Sequence, residues 1–106
     1  MEIKRYSSKH YGVSAYDMAD VIKWNMIQQL FKKWHMVSPI EYVLSTPIGW
    51  FKAVEKDSYY DLYYKEILIQ GRVDNLNEIT EVLFDYLDKR RLETVEMRNF
   101  FIELDK

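Results

Sequence analysis

Two histidines, His10 and His35, are the first residues to weigh for metal or acid–base chemistry. Neither belongs to a two-ligand motif such as H-x-x-x-H, which would set two imidazoles on one helix face. His35 falls near the end of the first predicted helix, where a cation suits the helix dipole. There are no cysteines, which excludes disulfides, zinc ribbons, iron–sulfur ligation and thiol catalysis. No serine stands in a nucleophile elbow, and no glycine-rich loop is present to cradle a phosphate. Carboxylates are plentiful, but none lies in an apolar stretch that would raise its pKa toward a general acid's. The expectation is a protein that is not an enzyme and uses no metal or cofactor.

Binding chemistry is better represented. Glu78, Glu81, Asp85 and Asp88 recur at helical spacing and form one acidic stripe, suited to a basic partner surface or to solvent. Aromatic residues make up 16% of the chain, and Tyr59, Tyr60, Tyr63 and Tyr64 crowd one segment. Tyrosine and tryptophan are large, stiff and polar-tipped, which favours them at protein interfaces. The expected partner-binding residues are Tyr59, Leu62, Tyr63 and Ile69 together with the acidic stripe. The rival surface is basic: Lys4, Arg5 and Lys9 near the N-terminus, with Lys52 and Lys56. If residues 38–56 are two short helices, they resemble a helix-turn-helix with Lys52 and Lys56 reaching DNA. That segment contains no arginine, the main reader of guanine. Net charge is −2, whereas nucleic-acid binders usually show a clear basic excess.

The charge is unevenly spread. Residues 1–53 hold seven Lys/Arg against four Asp/Glu, and residues 54–106 hold eight against thirteen. At 106 residues with 48% hydrophobic and 30% charged side chains, the composition fits one globular domain. No apolar run reaches the length of a membrane span, and the N-terminus has no signal-peptide pattern. No membrane association is expected, and a cytoplasmic location is the default.

The elements that would position these residues read as follows. Residues 1–13 form a basic arm, and residues 14–106 form one helical domain. Ser14 and Asp17 open a helix of about 20 residues, in which Ala19, Ile22, Met26, Leu30 and Trp34 recur at three- and four-residue steps. Lys23 falls inside that stripe, as a snorkelling side chain would. Ser38–Pro39–Ile40–Glu41 has the serine, proline and glutamate of a helix start. Thr46–Pro47 caps another short helix. The alternative is a hairpin, Ile40–Leu44 against Trp50–Val54. Ser58 opens a further helix, because Tyr60, Tyr63, Tyr64, Ile67 and Leu68 match the helical template and Gly71 suits its end. Leu62 and Ile69 lie on that helix's other side, which suggests a homodimer. Asp74 or Asn75 caps a helix from Leu76 to about Arg91. The tail from Leu92 is open between helix and strand.

The predicted fold is therefore mainly α, a bundle of four to five helices, with α+β around a hairpin at 40–54 as the alternative. The predicted function is protein binding, as a regulator, inhibitor or adaptor. In brevity and lack of chemistry the chain resembles small accessory proteins of bacteriophages and mobile elements, though no motif carries that resemblance.

Overall fold

A computed structural model describes the backbone of residues 15–106 and side chains from Asp20 onward. The basic arm, with Lys4, Arg5, Lys9 and His10, and the Ser14–Asp17 cap lie outside the described residues. Helix α1 (Ala15–Phe31) leads into strands β1 (His35–Ser38), β2 (Glu41–Thr46), β3 (Gly49–Lys56), β4 (Tyr59–Tyr64) and β5 (Ile67–Val73). Helices α2 (Leu76–Asp88) and α3 (Val95–Leu104) follow. The strands pair strictly in chain order, each antiparallel to the next. The fold is thus α+β, and the expected four- to five-helix bundle is corrected. No helix among the described residues is long and apolar enough to cross a membrane.

The correction falls on residues 38–70. Ser38 ends β1 instead of capping a helix, and Pro39–Ile40 form the loop into β2. Thr46 caps no helix either. Its hydroxyl donates to the Gly49 carbonyl at 2.9 Å and accepts from Ile48 N–H at 3.2 Å, which closes the β2–β3 turn. Gly49 has φ +130°, a region in which a Cβ is strained. Residues 59–70, expected as a helix, are β4, its turn and most of β5. Their tyrosines alternate instead of spiralling. Tyr60, Leu62 and Tyr64 point to the helix layer, and Tyr59, Asp61 and Tyr63 to the opposite face, as strand geometry requires.

One face of the sheet supplies the core. Leu44, Phe51, Ala53 and Leu62 are all fully buried, and the strand register sets them on the same side. They pack with Ile79, Leu83 and Leu87 of α2 in one cluster. Phe51 stacks on Tyr64 with ring centroids 4.6 Å apart and meets the Tyr86 edge at 5.6 Å. On the same side, Tyr60 faces Glu55 across the strands. Burial, with Glu55 and Tyr42 nearby, pushes its hydroxyl pKa above the ordinary value.

Of the expected helix caps, Asn75 holds, and the tail left open between helix and strand is a helix capped by Thr94. Asn75 accepts from Glu78 N–H at 2.9 Å, and Thr94 from Met97 N–H at 3.1 Å, each satisfying an amide that the first turn leaves without a partner. The buried side of α1 is Trp24, Met26, Ile27 and Leu30. Ile22 lies at its margin, nearly half exposed. Lys23 does snorkel: its ammonium reaches Asp85 on α2 at 3.4 Å over the Phe84 ring.

A polar relay fastens the end of α1 to α2. Trp34 Nε1–H donates to Thr80 Oγ1 at 2.8 Å, and the buried Thr80 hydroxyl donates to the Leu76 carbonyl at 2.7 Å. Thr80→Val keeps the shape but leaves the indole N–H without an acceptor. It is expected to cost about 1–3 kcal/mol, read as a lower urea midpoint with an unchanged slope. Thr80→Ser, which keeps the oxygen, should lose less.

Candidate functional site

The second face of the sheet is built by the same alternation and is covered by no described element. Directly opposite residues of antiparallel strands share a face. One row therefore crosses all five strands: His35, Val43, Lys52, Tyr63 and Leu68. Beside it run Ser45 with Trp50, and Glu41 with Val54 and Asp61. Val43, Lys52, Val54 and Tyr63 are half-buried among themselves. Trp50 is 59% exposed and Leu68 53%. An antiparallel sheet with one solvated side usually places polar residues there. Here the outer row holds Val43, Tyr63 and Leu68 beside His35 and Lys52, with Trp50 and Val54 next to it, so large apolar side chains share the face with Ser45, Glu41 and Asp61.

One end of this face is braced. The buried Asp61 carboxylate accepts from Arg72 N–H at 3.1 Å and pairs with Lys56 Nζ at 3.7 Å. The Arg72 guanidinium in turn lies over the Tyr59 ring, 5.1 Å from its centroid. Arg72 has φ +57° and sits where the β4–β5 register shifts. Gly71 fits beside Asp61 because a Cβ there would come 3.0 Å from Oδ1. Gly71 is thus a strand residue against a carboxylate and not the expected helix end.

Lys52, by contrast, makes no ion pair with any described residue. Its neighbours on the face are Val43, Tyr63, Trp50 and Val54.

The sequence-predicted partner residues are divided between opposite sides of the molecule. Tyr59 and Tyr63 lie on the open face. Leu62 is fully buried in the core, and Ile69 is half-buried against it, so Leu62 cannot touch a partner. Strand alternation thereby accounts for the two apolar sides of 59–70 that suggested a homodimer. Glu78, Glu81, Asp85 and Asp88 are on α2, in the helix layer. Asp85 pairs with Lys23, and Asp88 with Arg91 at 3.3 Å. Residues 41–56 form a strand hairpin after β1, so the helix-turn-helix expected at 38–56 is corrected. Lys52 lies on the open face and Lys56 at its end. Trp50, Val43 and Val54 were not singled out as site residues. They share a side with Lys52 only through the hairpin register, so their side is legible only once the strands are assigned.

A hollow of about 360 Å³ lies between α1 and α3, with Ile22, Met26, Phe101 and Ile102 in its walls. Both arginines at its rim are engaged within the chain. Arg91 lies over Phe101 at 4.3 Å and pairs with Asp88, and Arg98 donates to the Leu92 carbonyl at 3.2 Å. Among the described residues, no group of three or more histidines and carboxylates is placed to hold a metal ion.

No family model, curated protein or solved structure matches this chain.

Proposed function

We propose that this chain is a non-enzymatic protein-binding module, acting as a small regulator, inhibitor or adaptor, and that its contact surface is the open face of the sheet. The observation that supports this most is Trp50. A tryptophan left 59% exposed beside Val54 and the Val43–Tyr63–Leu68 row leaves a large apolar area in water, and such patches mark interaction sites. Tryptophan and tyrosine also dominate the energetics of protein interfaces. The sheet supplies rigidity, so little ordering of the face opposes binding.

The test compares two double variants by affinity capture from the native host. Trp50→Ala with Tyr63→Ala should remove the partner that the native chain retains. Glu81→Lys with Asp85→Lys should retain it, because the acidic stripe is then a solvated helix face. Thermal melts should show both variants folded, since neither pair lies in the core and exposed ion pairs contribute only about 0–1 kcal/mol. The reverse pattern would move the site to α2.

A further inference from the structure

We infer that the partner presents a carboxylate, set among apolar side chains, to the ammonium of Lys52. This rests on the open sheet face being the contact surface. Lys52 belongs to β3, the middle strand of five, and to the row that crosses the whole sheet. It is half-buried between Val43 and Tyr63, and no described residue neutralises it. The other two cations of the face are engaged: Lys56 with Asp61, and Arg72 over Tyr59. Any surface that seals the apolar row also strips water from Lys52. An ammonium left without a partner there would oppose binding strongly, and a carboxylate opposite it turns that penalty into specificity.

The same geometry disfavours two other occupants. A second copy docked face to face about a two-fold axis brings equivalent surfaces together. With Lys52 near the centre of the face, its ammonium would meet Lys52 of the other copy. Single-stranded nucleic acid would find Trp50 and Tyr63 to stack on, but phosphates need several available cations. Among the described lysines and arginines of the face only Lys52 is uncommitted, and Glu41 and Asp61 share the face.

The probe is a random-peptide phage library panned on the native chain, on Lys52→Glu, on Lys52→Met and on Trp50→Ala with Tyr63→Ala. Peptides enriched on the native chain should carry Asp or Glu within an apolar stretch. Their affinity should fall about tenfold or more on Lys52→Glu, less on Lys52→Met, and to background on the aromatic double variant. Panning on Lys52→Glu should enrich Lys or Arg at the corresponding place. Apolar peptides that bind native and Lys52→Glu chains alike would overturn the carboxylate inference and leave the face as the contact surface. Peptides indifferent to the aromatic double variant, or no enrichment at all, would overturn both. Steeply salt-dependent binding of oligothymidylate, or a dimer in sedimentation that Trp50→Ala dissolves, would overturn the protein-carboxylate partner in favour of the other occupants.

Discussion

The Leu62→Glu chain is expected not to fold. Leu62 is fully buried and faces Ala53 on the core side of the sheet. Replacing it removes about 2–3 kcal/mol of apolar burial and forces a carboxylate into a site with no cation to pair with, a further several kcal/mol. Together these approach the roughly 5–15 kcal/mol that holds a typical domain folded. Circular dichroism and tryptophan emission should both report an unfolded chain. The control is one residue away. Tyr63→Glu points to the open face and should leave a folded protein, because adjacent strand residues lie on opposite sides of the sheet. A folded Leu62→Glu chain would contradict β4 and its register.

Phe51→Ala should be the most damaging truncation. Phe51 is fully buried, stacks on Tyr64 and meets the edge of Tyr86, so it links β3, β4 and α2. Losing a buried phenylalanine costs about 3–5 kcal/mol, the higher end applying where the surroundings cannot collapse. Sheet and helix backbones hold this site open, which places the expectation toward that end. Urea denaturation should show a strongly lowered midpoint. Phe51→Leu, which fills most of the volume, should recover a large part of the loss. If the alanine variant instead costs less than about 1 kcal/mol, the aromatic cluster is not the centre of the core.

The helix after Asn75 was legible from its cap and stripe, whereas Thr94, a β-branched residue that also suits a strand, left the last helix open. Asn75 and Thr94 each accept the amide three residues on, and the stripe behind Asn75 has the period of a helix. Residues 59–70 misled because nearly every position is large and apolar or aromatic. Tyr60, Tyr63, Tyr64, Ile67 and Leu68 satisfy a helical template, while Tyr60, Leu62 and Tyr64 satisfy a strand equally well. Tyrosine's preference for strands favours the second pattern. The turn gave no warning either. Lys65 and Glu66 take φ of 50° and 67°, a two-residue hairpin turn usually announced by Asn-Gly or Asp-Gly. Proline-based helix starts at Ser38 and Thr46 were turns for the same local reasons that make good caps: a hydroxyl that accepts a nearby amide and a fixed φ. Of the open sheet face proposed as the contact surface, Tyr59, Tyr63, Lys52 and Lys56 were legible. Trp50 requires the hairpin register before its side of the sheet is known.

The packing of α1 against α2 and α3 has a consequence for how the chain comes to be folded on the ribosome. The meander can assemble as it emerges, since each strand pairs with the one just made and the connecting loops are short. The first helix cannot finish in that order. Its buried side, Trp24, Ile27 and Leu30, belongs to a core completed by residues 76–104, on the far side of the entire sheet in sequence. Throughout translation of the strands that apolar stripe has no permanent seat. The nascent chain therefore offers α1 to chaperones or to neighbouring polysomal chains until α2 and α3 arrive to cover it.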